Sequence, residues 1–417
     1  MYKIYFKQAI QMLKQNKFIS IITITGTALA IMMIMVIIVT ETIKNKSIAP
    51  ESNRDRTFYI KSYIKEDKVN QGMWASNIPY DIYKDFLSGL KTPEYTSALK
   101  TTWDDGRFMI KKYQSEEREL SNVKLVDASY WKIMAFSFIE GKPFTQEDFE
   151  SEMRNAVITE DLAKKVFGNE NPIGKNIEID FHDFKVTGVI KDVPQTFAYA
   201  YAEAFIPYTS KKGYQQGSYI LMFLLKDKND VTALDKEIRD AEKKYTTVNR
   251  DYELTLWGPY NHRQALFQSY SNHGSDEKRA NRKIIFIFTV LLLIPAVNLS
   301  SFSMSRIKRR SEEIGIRKAF GAKKYVILIQ VLFENFITSL IGGLLGLILS
   351  YATVFWFKEW LLEIESGSSI PLGALISFPV FIGVFLVCFA LNLISAAIPA
   401  YRAAKMNIID SINNKNE

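Results

Sequence analysis

Arg309, Arg310, Glu312, Glu313, Arg317 and Lys318 crowd into one short stretch that also carries Ile314, Gly315, Ile316, Ala319, Phe320 and Gly321. Charges of both signs at this spacing suit gripping a surface rather than catalysis. Ser311 is suited to an N-cap, where its hydroxyl would accept an orphan backbone N–H. Glu312 and Glu313 would sit at the positive end of a short helix, and Arg317 and Lys318 at its negative end. Glu313 and Arg317 are spaced i,i+4 for an ion pair, and Gly321 can close the helix in the left-handed conformation. A helix this short is unstable alone. Its apolar residues must therefore pack on something: the membrane surface, a neighbouring helix, or a groove on a soluble partner.

The rest of the chain offers little reactive chemistry. His182, His262 and His273 are the three histidines, and none has the close spacing of a metal ligand set. Cys388 is the single cysteine, so no intrachain disulfide can form, and it lies in an apolar run unsuited to a nucleophile. No GxSxG elbow is present. Asp104-Asp105 and Glu116-Glu117 read as surface solvation. Residues 168–176 look like a phosphate loop, but one residue too many separates the glycines. Asn176 also replaces the Ser or Thr that would hold magnesium. That stretch is read as a turn before a strand. Neither a catalytic centre nor a cofactor or metal site is expected in this chain.

The elements that hold the charged stretch are apolar. The 417 residues have a mean hydropathy of -0.05, but the apolar ones are clustered. Residues 19–39, 284–305, 335–357 and 371–401 carry no charge. Runs of about 18 or more apolar residues can cross a hydrocarbon core of about 30 Å. Four transmembrane helices are expected: 18–41, 283–305, 325–357 and 374–399. The first is too long for a signal-peptide core and lacks a cleavage site directly after it, so it reads as an uncleaved anchor. Lys3, Lys7, Lys14 and Lys17 precede it, basic residues dominate 306–324, and Arg402 and Lys405 follow the fourth helix. The link 358–373 carries Glu359, Glu363 and Glu365 instead. The positive-inside rule then puts both termini and the 306–324 link in the cytoplasm, and 42–282 outside. The net charge of +8 reflects these membrane flanks and not a nucleic-acid partner.

Residues 1–17, with Tyr2, Phe6, Ile10 and Leu13 among lysines, suit an amphipathic helix on the inner leaflet. Pro295 and Asn298, in the middle of the second helix, are either a hinge or statically packed. The third helix reaches about 48 Å at 1.5 Å per residue, more than one span needs. Gln330, Glu334, Thr338, Gly342, Gly346 and Ser350 recur on it every four residues, with Asn335, Ser339 and Gly343 alongside. Such a face suits a close helix crossing, with the covering helix in the same chain or in a second protomer. Glu334 is read as snorkelling to the cytoplasmic surface.

The outer segment is expected to be α+β. Residues 57–64 and 95–103 read as strands around a helix at 79–90. Residues 218–226 and 252–257 repeat that order around an amphipathic helix at 231–245. These two βαβ-like halves, 57–103 and 211–257, would flank an insertion, 104–210, that is mostly β. Within the insertion, strands are expected at 155–159, 174–179 and 185–190, with a helix at 160–167 ended by Gly168.

The segment 309–322 closely resembles the "RRxEIGIRRAxGA" element of MacB/FtsX-type ABC transporter permeases, with one extra residue at Ser311 or Glu312. The glycine-rich stretch 340–346 and the ending 396–412 follow as in that family. Residues 16–26 look like its first helix. Residues 157–159, 163–168, 172–175 and 186–190 look like its periplasmic core domain. The resemblance implies a membrane protein of four transmembrane helices, with a large Porter/Sabre-like α+β periplasmic domain between helices one and two. It implies a multi-pass protein of the bacterial inner membrane with no fused ATPase. Partners would be a separate cytoplasmic ABC ATPase dimer that carries ATP and Mg, a second permease protomer in a homo- or heterodimer, membrane lipid, and periplasmic or outer-membrane components that the sequence does not identify. The 306–324 element would ride on the ATPase, and the stalk of helices one and two would relay its motion outward. Export or extraction of a periplasmic substrate is the leading expectation. An FtsX-like regulator of cell-wall hydrolases, or a receptor or scaffold outside the ABC class, stands as an alternative.

Overall fold

The computed structural model describes residues 6, 10–11, 13–15, 17–102, 106–112, 115–268, 273–309, 311–321, 323–357, 361 and 378–405. Most of the expected 358–373 loop, the end of the 400–417 tail and much of the 1–17 helix lie outside those residues. The chain divides into two compact units. One comprises Thr42–Asn281 with Glu359–Ile370, and the other Met1–Glu41, Arg282–Lys358 and Pro371–Glu417.

In the first unit, the external one of the sequence reading, runs of β-branched and aromatic residues pair into a 13-stranded sheet among the described residues. The strands are β1 Thr57–Ile60, β2 Ser62–Asp67, β3 Met73–Pro79, β4 Tyr95–Lys100, β5 Arg107–Lys111, β6 Arg118–Val126 and β7 Phe138–Gly141. They continue with β8 Asn155–Thr159, β9 Asn176–Ile179, β10 His182–Ile190, β11 Ala204–Pro207, β12 Ser218–Leu224 and β13 Tyr252–Trp257. β12 lies antiparallel between β1 and β4, and β2 pairs antiparallel with β13. The first βαβ-like half thus spans one intervening strand, the split arrangement, while β3 and β2 lie between β12 and β13 in the second. The helix of the second half, Val231–Val248, buries Leu234, Ile238, Ala241 and Tyr245. Their spacing of four, three and four keeps them on one face. The insertion is mostly strand, as its sequence suggests. It holds the two parallel pairings, β8 with β10 and β6 with β11.

Some elements differ from the sequence reading. The strand expected at 57–64 breaks at Lys61, whose ammonium donates to the carbonyls of Ala265 at 2.9 Å and Gln268 at 3.0 Å. The helix expected at 79–90 is shorter: Tyr80–Ile82 passes into a wide turn, Tyr83–Leu87, which the Ser88 N–H closes on the Tyr83 carbonyl at 2.8 Å. The turn between β9 and β10 falls at Asp180 and Phe181, both with positive φ. β3, β5, β6, β7 and β11 were not expected.

A buried polar knot ties three segments of this unit. Glu51 bonds the Arg54 guanidinium at 2.6 Å, and its other oxygen accepts the backbone N–H groups of Tyr199 and Ala200 at 3.0 Å. His262 Nδ1 lies 3.7 Å from Glu51 and 3.5 Å from the Tyr59 hydroxyl. Two carboxylate oxygens with three donors satisfy a charge that burial would otherwise penalise.

The second unit includes the helices α1 Lys17–Asn45, α2 Glu277–Arg309, α3 Ser311–Ala319, α4 Lys324–Trp356 and α5 Phe378–Lys405. The ends of α1 and α2 run into the external unit's sequence. By length and composition, 17–42 and 325–356 are apolar enough to cross a membrane. α2 runs through Pro295 and Asn298 without interruption, and the side chains there lie outside the description. The small-residue face of α4 is covered from within the chain. A Cβ on Gly342 would stand 2.9 Å from Thr27 Cβ, and one on Gly346 would stand 2.8 Å from the Ala28 carbonyl, both on α1. A Cβ on Gly343 would meet the Phe385 ring of α5 at 2.5 Å. Close backbone approach is what glycine permits in such crossings. Thr338 and Asn335 on the same face return their side-chain donors to the carbonyls of Glu334 and Val331.

Candidate coupling site

α3 is too short to hold its own helix in water, and it is held from one side. Ile314 is buried with Ile307 of α2 and with Ile327 and Val331 of α4, while Leu328 packs against them. Full burial of one such side chain contributes about 1.5–3 kcal/mol. Gly315 is buried beside it. The polar flank is tied as well. Glu313 and Arg317 pair at 2.5 Å, and Arg317 also donates to the Gln330 side-chain Oε1 at 2.8 Å. Gln330 in turn donates to Glu334 at 3.3 Å. The carboxylate pair is partly open to solvent, so it contributes about 0.2–1 kcal/mol. The shared guanidinium nevertheless fixes the azimuth of α3 on α4.

The opposite face is open. Ile316 is 46% exposed and Phe320 87% exposed. They stand four apart, on one side of the helix. The Phe320 N–H bonds the Ile316 carbonyl at 3.0 Å, and Gly321, at φ +88, turns the chain away. Tyr325 at the start of α4 is exposed too. α3 therefore presents two apolar side chains over a braced base.

The sequence-predicted residues fall into three groups. Glu313, Ile314, Gly315 and Arg317 form the braced side, and Phe320 the open side. Lys318 is half-buried. Arg309 ends α2 and Glu312 lies in α3, with side chains outside the description; Arg310 lies outside the described residues. Thr338, Gly342, Gly343 and Gly346 pack α4 within the unit. Glu334 does not snorkel. It is buried, because the Gln330 amide supplies a donor that would otherwise have to be water. Gln330 is the residue the sequence reading left out of the site. Its signal was its place at the head of the four-spaced row, one turn from Glu334. Among the described residues no group of three or more His, Cys, Asp or Glu side chains could hold a metal ion.

Residues 20–241 match the family model described as the MacB-like periplasmic core domain. Residues 285–408 match that of the FtsX-like permease C-terminal. The uncharacterized ABC transporter permease YknZ of Bacillus subtilis (strain 168) is 23% identical over 423 residues, covering 97% of this chain and 98% of YknZ. The pyoverdine export ATP-binding/permease protein PvdT of Pseudomonas syringae pv. tomato is 26% identical over 296 residues, covering 69% of this chain and 42% of PvdT. The macrolide export ATP-binding/permease protein MacB of Chromobacterium violaceum is 23% identical, with 69% and 42% covered. The chain thus spans less than half the length of the relatives named as ATP-binding/permease proteins. Among solved structures, the extracellular domain of YknZ from Gram-positive bacteria aligns with a TM-score of 0.34 at 16% identity, over 46% of this chain and 99% of that one. The periplasmic region of MacB from Actinobacillus actinomycetemcomitans aligns with a TM-score of 0.36 at 14% identity, over 50% and 94%.

Proposed function

The chain belongs to the family of ABC transporter permeases that join a MacB-like periplasmic core domain to an FtsX-like C-terminal region, and on that premise we propose that it relays the motion of a separate cytoplasmic ATPase to its external domain. In this reading α3 docks in a groove of the ATPase, Ile316 and Phe320 entering it while Ile314 and Arg317 hold the helix to α2 and α4. The observation that carries the reading is the two-sided character of α3: braced within the chain on one face and apolar but open on the other. An open aromatic beside a charged rim is what a docking anchor looks like.

ATP and Mg would be held by the partner ATPase, and this chain would bind neither. The four long helices would span the bacterial cytoplasmic membrane with both termini inside. The exposed apolar side chains of α2, among them Ile285, Phe286 and Leu293, suit lipid and a second permease protomer. The external domain would then push or release a periplasmic or membrane-derived substrate, so that export or extraction occurs without passage between the helices.

A photo-crosslinking residue at Phe320 tests the docking. In native membranes it is expected to capture a protein that carries a nucleotide-binding fold, in a yield that changes with ATP. The same probe at Phe286 is expected to capture none. Capture at Phe286 but not at Phe320 would remove the assignment of α3.

A further inference from the structure

The external unit contains an open cavity of about 650 Å³ where its two portions meet. β3, β4 and the start of β12 form one wall, and β5, β6 and the turn at Asp180 form the other. Its volume falls in the range of small-molecule sites, roughly 300–1,000 Å³. That admits a few amino-acid residues or a headgroup, not a folded protein.

The wall chemistry is uneven. Lys100 is half-buried, and among the described residues its ammonium has no carboxylate or carbonyl partner. Burial, and secondarily the neighbouring Lys211, lowers its pKa. Lys211 is itself balanced by Asp180, at 2.7 Å, and lies over the Phe108 ring. The uncompensated charge is therefore that of Lys100, and Arg107 adds a second cation to the same cavity. Beside them Phe108, Met109 and Leu120 supply apolar surface, with Leu120 and Met109 exposed. Gly217 leaves room for this placement: a Cβ there would collide with Lys100 Cε, so a side chain at that position would make the end of the lysine shift.

We propose that this cavity binds the anionic end of a small amphiphilic molecule, its carboxylate or phosphate oxygens held by Lys100 and Arg107 and its apolar part laid on Phe108, Met109 and Leu120. Guanidinium and ammonium groups bind such oxygens through charge-assisted hydrogen bonds. An occupant would touch both portions of the external unit at once. The inference rests on the reading that this unit handles a client, but it is measured without nucleotide or ATPase, so its failure leaves the docking of α3 untouched.

The test uses the full chain in zwitterionic nanodiscs. The probe is the acetylated tripeptide Phe-Ala-Leu with a free carboxylate, compared with the same peptide as its amide and with inorganic phosphate. The acid is expected to bind about tenfold more tightly than the amide, as loss of a charged hydrogen bond implies. Lys100→Gln with Arg107→Gln is expected to abolish that preference, and Lys100→Arg to retain it. Gly217→Ala, which keeps every charge but takes the room of the Lys100 stem, is expected to weaken the acid alone. Equal binding of acid and amide, as would follow if the chain's own acids neutralise the cavity, overturns the proposal. So does a preference that survives in the double variant whose fold is intact by thermal melting. Inorganic phosphate binding as tightly as the peptide reduces the cavity to an ion site and removes the amphiphile.

Discussion

The external unit and α3 use an ion pair in opposite ways. In the external unit Glu51 and Arg54 are sealed from solvent, and the carboxylate also holds two backbone N–H groups from a distant segment. In α3, Glu313 and Arg317 pair at the surface, and the buried apolar side chain among its described residues is Ile314. The first arrangement makes a body whose parts stay together. The second orients an element without making it costly to detach. The proposed relay of motion needs both: a stiff body to be moved, and a handle whose free face belongs to something else.

Substitutions can break or sharpen this contrast. The largest effect is expected from Glu51→Gln, which leaves the Arg54 guanidinium buried without its carboxylate. Loss of one partner of a buried pair costs about 3–5 kcal/mol, to be read by chemical denaturation of the external unit in the full chain. Next comes pH. Burial pushes the Asp127 carboxyl up to about 6, although Ser97, Ala98 and Tyr130 donate to it. Between the ordinary carboxylate value and about 6 the folded domain keeps a proton that the unfolded chain has lost. The stability from this group is therefore full below about pH 4 and lost as pH rises through about 6, a change of about 3 kcal/mol. Denaturation midpoints at pH 4.5 and 7 should show that fall, and Asp127→Asn should flatten it.

A smaller effect is expected in the other unit. Gly346→Val puts a side chain where the α1 backbone already stands. Overpacking of this kind costs about 1–3 kcal/mol. It should lower the melting temperature of the helical unit and leave the external unit's transition in place.

The coupling segment was legible because its chemistry is local. An i,i+4 ion pair, a first turn with acids and a closing glycine are all written within a few residues. The four-spaced row on α4 was legible for the same reason, but its partner was not: nothing in 335–350 names Thr27 or Ala28, which lie three hundred residues earlier. Glu334 was misread because its burial depends on the Gln330 amide and on the helices around it. In the external unit, β6 escaped notice because it inverts the usual alternation. Ser121 is buried while Leu120 faces out, beside the cavity. β3 carries Ser76, Asn77 and Pro79, residues that read as loop until β2 and β12 pair with them. The strand–helix–strand order along the chain was recoverable in each half, apart from β3, and the pairings between strands were not, since long-range register leaves no local trace.

The smallest effect on stability should accompany the largest effect on activity, and that is the direct test. Phe320→Asp in the purified full complex with its ATPase should leave both unfolding transitions within about 0.5 kcal/mol of the parent, as exposed positions do. It should also remove the ATPase from the co-purified complex and abolish ATP-dependent work by the external domain. A Phe320→Asp complex that retains its ATPase and its coupled activity would contradict the account.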